Sequence, residues 1–211
     1  MPLVIAVDGP AASGTGTIAR ALARHFGLPH MDTGLLYRAV ALNLFRFGGD
    51  PGNELEAVRA CDLSVISFED DELRSEVIGS YASRISAYPA VRAHLLERQR
   101  MFAGQAGGAV LDGRDIGSVI APDARLKLFV TASPDVRAKR RLAELIKRGM
   151  NVHYDEVLQD IRARDERDSG REVAPLVQAD DALLLDTSTM DVEQAIAAAL
   201  ALVDAALRDS P

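Results

Sequence analysis

The chain has 211 residues, 48% hydrophobic and 26% charged, which excludes a disordered polypeptide and fits one globular unit with a substantial core. A formal net charge of −7 argues against a nucleic-acid binder, and a single cysteine, Cys61, excludes an internal disulfide framework or a thiolate zinc site. No signal-like start and no apolar run of the roughly eighteen residues a membrane span needs is present, so a cytoplasmic protein without a membrane partner is expected.

The first apolar run, Leu3–Val7, reads as a strand and is followed by Gly9-Pro10-Ala11-Ala12-Ser13-Gly14-Thr15-Gly16-Thr17 and then a helical pattern. That order of strand, glycine loop and helix is a phosphate-binding P-loop, in which backbone N–H groups and a helix N-terminus face a polyphosphate. Thr15 stands where such a loop carries lysine, so the cradle is kept while the usual cation at the outer phosphates is missing. Gly16 takes the position where many such loops put a hydroxyl on magnesium; Thr17 is expected to bond a phosphate, and the metal to be held by nucleotide oxygens and water.

His30–Asp32 reads as a short strand ahead of a helix capped by Asp32 or Thr33, with Arg38 about one turn in. Between Pro51 and Tyr88 the pattern changes. Leu63–Phe68 and Leu73–Ile78 flank the acidic turn Glu69-Asp70-Asp71-Glu72 and suggest an antiparallel hairpin inserted into the core. Ala109–Asp112, Leu126–Thr131 and Leu183–Asp186 read as further strands. Residues 135–148 and 155–168 read as two arginine-rich helices joined by a hinge, and Asp191–Leu207 as a closing amphipathic helix. Short strands separated by longer helices predict an α/β fold with a parallel sheet.

Asp112-Gly113-Arg114-Asp115 leaves a strand at the carboxyl edge of that sheet, where open α/β sheets bind ligands, although an ordinary loop with a surface ion pair explains the four residues about as well. In the run from Arg162 to Arg171, arginines 164, 167 and 171 are spaced at three and four and would share a helix face. Such a face is either solvated or a clamp for phosphate oxygens. Arg137, Lys139, Arg140 and Arg141 read as a solvated face with one or two members near phosphate. Ser83 and Arg92 carry little signal alone, and the four histidines lack metal-ligand spacing.

Taken together, the glycine loop, Asp32-Thr33-Gly34-Leu35-Leu36-Tyr37-Arg38, Tyr88-Pro89-Ala90-Val91-Arg92, Asp112-Gly113-Arg114-Asp115 and Arg164-Asp165-Glu166-Arg167-Asp168 through Ala174-Pro175-Leu176 resemble bacterial cytidylate kinases. The resemblance implies a P-loop kinase fold in which residues 1–32, 104–148 and 172–211 form the core, 33–103 the nucleoside-monophosphate region and 149–171 a helical lid. It implies in-line transfer of the γ-phosphoryl of ATP to CMP or dCMP, with Mg2+, by a monomer that binds these nucleotides. Residues 9–17 would wrap the donor phosphates. Arg114, Arg164, Arg167 and Arg171 would be the catalytic cations, and Thr33, Arg38, Arg114 and Arg171 would serve the acceptor. Asp168 would hold ribose hydroxyls, and Ser83, Arg92 and Asp115 would read cytosine. Because of Thr15, a nucleotide-binding protein with weak or no turnover is an alternative, as is a kinase for another small acceptor such as UMP, AMP or shikimate.

Overall fold

The computed structural model describes residues 2–209. Five strands form one sheet in the order β2-β3-β1-β4-β5: β1 is Val4–Asp8, β2 His30–Asp32, β3 Ala109–Gly113, β4 Leu126–Thr131 and β5 Leu183–Asp186. The pairings β1–β3, β1–β4 and β4–β5 are parallel. Parallel strands covered on both faces need apolar side chains throughout, and every residue of β3 is buried. One face carries α1 (Thr15–Phe26) and α8 (Val192–Asp209), and Ile18, Leu22, Ala199 and Val203 pack there with Ile5, Val7, Val110, Leu128 and Val130.

The chain divides into two compact units. The first holds the sheet, α1, α6 (Pro134–Lys147), α7 (Tyr154–Ser169) and α8. Ser133 caps α6 by accepting from the Val136 N–H, with Pro134 opening the helix, and a capping box of His153 and Glu156 starts α7. These two helices pack on each other through Ala138, Leu145, Val157 and Ile161.

The second unit, Asp32–Phe102, is helical: α2 (Thr33–Arg46), α3 (Glu54–Arg59), a 3-10 turn at Asp71–Arg74, α4 (Glu76–Ile85) and α5 (Pro89–Ala103). The hairpin expected over Leu63–Phe68 and Leu73–Ile78 is absent, and the acidic turn leads into helices instead. Asp70 accepts from the Glu72 N–H and starts the 3-10 turn, and Ser75 accepts from the Ile78 N–H and starts α4. Local side-chain capping thus overrides the apolar alternation that suggested strands. Leu73 and Ile78 are both buried, while Val65 and Val77 are exposed. Among the described residues, no helix is long and apolar enough to cross a membrane.

Candidate active site

The register Val7↔Asp112 and Asp8↔Gly113 brings the glycine loop and the Arg114–Asp115 segment out side by side at one sheet edge. The glycine loop is shaped by backbone strain and by lack of room. Ala12 and Gly14 have positive φ values of 60° and 102°, which turn successive N–H groups to one side. A Cβ on Gly9 would lie 2.0 Å from the Val130 carbonyl oxygen, so only glycine fits there. Gly14 precedes α1, whose first turn carries no acidic side chain to compete for an anion. The Ser13 hydroxyl is fully buried and has no hydrogen-bond partner. An orphaned buried donor in a loop with free helix-terminal amides fits a phosphate oxygen as its missing acceptor. Thr15 is buried too, and its methyl is 2.9 Å from where a Gly9 Cβ would be.

Two arginines hold the carbonyl side of the loop. Arg137, 3% exposed, donates to the Ala132 carbonyl at 2.8 Å, to the Ala11 carbonyl at 3.2 Å and, through both Nη atoms, to Asp165 at 2.8 and 2.6 Å. Arg140 donates to the Ser13 carbonyl at 3.3 Å, to the Thr187 hydroxyl at 3.0 Å and to the Thr187 and Met190 carbonyls at 2.7 and 3.1 Å. Of Arg137, Lys139, Arg140 and Arg141, expected as a solvated face with one or two members near phosphate, Arg137 and Arg140 instead bond the carbonyls of the glycine loop, whereas Lys139 is exposed. A spacing of three behind the Ser133-Pro134 cap is the signal that was available, since it puts Arg137 and Arg140 on one face.

At the end of β3, His30 Nε2 lies 2.6 Å from Asp112 Oδ1, although no histidine was expected to matter here. Arg114 donates from Nε to Asp168 at 2.9 Å and from Nη1 to the Gly113 carbonyl at 3.1 Å. Asp168, 2% exposed, also takes a short contact from Arg171 and has Arg164 Nε at 3.9 Å. Burial would raise its pKa, but Arg114, Arg171 and Arg164 outweigh it and hold the carboxyl below the usual carboxylate range. Three of the four arginines expected at the site thus meet on one carboxylate. Arg167 is exposed on α7, and Arg171 lies beyond that helix, which ends at Ser169. Asp115 is buried beside them.

The second unit gathers the remaining residues. Arg38 on α2 donates to the Leu73 and Ser75 carbonyls at 2.7 and 3.2 Å. Arg92 on α5 lies over the Tyr37 ring, 5.8 Å from its centroid, and donates to the Ser86 carbonyl at 3.3 Å. Ser86 in turn donates to the Ser83 carbonyl at 3.0 Å. Ser83, Arg92 and Thr33 are buried rather than lying on a solvated helix surface. Among the described residues, no three His, Cys, Asp or Glu side chains converge as a metal cage.

Comparison with known proteins supplies the chemistry. Residues 5–205 match the family model described as cytidylate kinase. The chain is 59% identical over 205 residues to a cytidylate kinase of Xanthobacter autotrophicus, covering 96% of this chain and 98% of that one. It is 56% identical over 205 residues to a cytidylate kinase of Methylocella silvestris, covering 97% and 95%. Among solved structures, a gluconokinase from Sinorhizobium meliloti aligns with TM-score 0.50 at 17% identity, over 98% of this chain and 95% of that one, a likeness of fold alone.

Proposed function

The chain belongs to the cytidylate kinase family, and from that premise we propose how its residues divide the work. It is an ATP-dependent nucleoside monophosphate kinase that moves the γ-phosphoryl group of ATP to CMP or dCMP, and the non-turnover and other-acceptor readings are not favoured. The glycine loop, residues 9–17, binds the donor phosphates through its N–H groups and the Ser13 and Thr17 hydroxyls. Mg2+, when bound, would be held by nucleotide oxygens and water rather than by a side-chain cage and would supply neutralisation of phosphate charge. The observation that carries this division is the orphaned Ser13 hydroxyl in a loop that emerges beside the Arg114–Asp115 segment.

Arg114, Arg164 and Arg171 are pre-assembled on Asp168, so their guanidinium groups are oriented before substrate arrives, and they neutralise charge on the moving phosphoryl group. Arg167 joins them as part of a lid over residues 149–171. A carboxylate offers about four lone-pair directions, so Asp168 can keep its arginines and still accept from ribose hydroxyls. Arg38 and Thr33 bind the acceptor phosphate within the region 33–103, and Ser83, Arg92 and Asp115 read cytosine. A buried carboxylate accepts from the exocyclic amino group of cytosine and rejects uracil, whose oxygen would face another acceptor. Transfer is direct and in line, with no phosphorylated protein and no side-chain nucleophile.

Turnover of CMP, dCMP, UMP and AMP at equal concentration, coupled to ADP formation, tests the assignment. CMP and dCMP should be strongly preferred. Equal rates with UMP or AMP would remove Ser83, Arg92 and Asp115 as base readers.

A further inference from the structure

Asp8 is the last residue of β1, directly before Gly9, and no motif singles it out. It is buried, and its two carboxylate oxygens accept from the Ile116 and Gly117 N–H groups, each at 2.8 Å. These two residues open the π-helical turn Ile116–Ile120 and immediately follow Asp115. On the other side of the same segment, Gly9 N–H donates to the Gly113 carbonyl at 3.3 Å. The end of β1 therefore grips the chain at Gly113 and again at Ile116 and Gly117. Arg114 and Asp115 lie between the two grips.

The direct partners of the Asp8 carboxyl are backbone amides rather than a counter-ion. The charged groups around Asp8 are Asp115 and Arg114, and Lys127 on β4. The Lys127 stem lies 3.0 Å from where a Gly117 Cβ would be, while its Nζ is engaged by Asp181. None of the cations is a direct partner of the Asp8 carboxylate; the two amides are. An asparagine in its place presents one acceptor and one NH2 group, so one of the two N–H groups would face a donor.

We propose that Asp8 is a positioning residue for the acceptor nucleotide: by fixing the backbone from Gly113 to Gly117 it aims Arg114 at phosphate and Asp115 at the base. The inference rests on the acceptor roles proposed above for Arg114 and Asp115. Because the same residue abuts Gly9, Asp8 ties the donor loop to the acceptor segment without touching either nucleotide.

The test is the split between KM values in Asp8→Asn, measured separately for CMP and for ATP. Loss of one buried charge-assisted bond should raise KM for CMP about tenfold while KM for ATP stays within about twofold. A lower kcat with both KM values unchanged, or equal rises in both, overturns the inference, because the first is what a loss of folded enzyme produces and the second is an unselective distortion of both sites. Should Asp8→Asn fail to fold, hydrogen exchange of the wild-type enzyme decides. Ile116 and Gly117 amides protected like those of β3 support the grip, and exchange as fast as exposed loop amides overturns it.

An Asp115→Asn variant, assayed with CMP and UMP, keeps the two ideas apart. If it loses the preference for CMP while Asp8→Asn keeps a wild-type KM for CMP, the role of Asp8 falls and that of Asp115 stands. If Asp115→Asn keeps the preference while Asp8→Asn raises KM for CMP alone, base reading by Asp115 falls and positioning by Asp8 stands through Arg114.

Discussion

Arg140 donates to the Ser13 carbonyl at 3.3 Å, the peptide whose hydroxyl side chain is left without a partner inside the glycine loop. Burial pushes the Arg140 pKa down, with Asp186 as the nearby opposing charge, yet its direct bonds are to carbonyls and a hydroxyl. Arg140→Gln should therefore loosen the donor loop. KM for ATP should rise about tenfold with KM for CMP nearly unchanged. Thr187→Val, which removes the hydroxyl bonded to the same Ser13 carbonyl at 3.2 Å, should give a smaller shift in the same direction in steady-state kinetics.

Thr15 opens α1 at the point where phosphate-binding loops place a cation. Removing one preorganised donor at developing charge typically lowers kcat by about 10²–10³. Thr15→Lys should therefore raise kcat, by up to about 10², in a coupled ADP assay with saturating CMP. An unchanged kcat would mean that the arginines on Asp168 already supply the charge.

Asp168→Asn leaves Arg114, Arg164 and Arg171 together without their shared anion. Breaking such a buried arrangement from one side costs about 3–5 kcal/mol, which urea unfolding at pH 7 would read directly. The sign with pH follows from the depressed carboxyl: its stabilising contribution is full above the ordinary aspartate range and is lost as pH falls through the lower folded value. Wild-type protein should accordingly lose stability steeply below about pH 4, and the asparagine variant should show a flatter acid limb.

Asp8 behaves in the opposite sense. Burial, the largest influence, together with the charge of Asp115, pushes it from 3.8 to about 7, while its bonds from Gly117 and Ile116 pull the other way. Its contribution to stability is present at low pH and lost as pH rises toward 7. Thermal unfolding between pH 5 and pH 8 should show the wild-type Tm falling relative to that of Asp8→Asn. A constant difference between the two curves would show that Asp8 does not titrate in that interval.

Strands and glycine punctuation were readable from the chain because both signals are local. β4 and β5 lie at Leu126–Thr131 and Leu183–Asp186 as expected. The segment 63–78 misled because apolar residues around an acidic turn look alike before a hairpin and before two capped helical turns. Only the hydroxyl of Ser75 and the carboxylate of Asp70, each bonding an N–H further along, distinguish the two. The carbonyl-bonding role of Arg137 and Arg140 was not legible for a different reason, since a basic helix face has the same pattern whether it meets water or carbonyls. The partners of Asp8 stand 108 and 109 residues away, beyond the reach of any periodicity.

The Thr187 hydroxyl that bonds the Ser13 carbonyl comes from 174 residues downstream. During synthesis the glycine turn leaves the ribosome well before the hydroxyl that braces it. A nascent or prematurely terminated chain that ends before β5 would carry every glycine of the motif and still hold a slack loop.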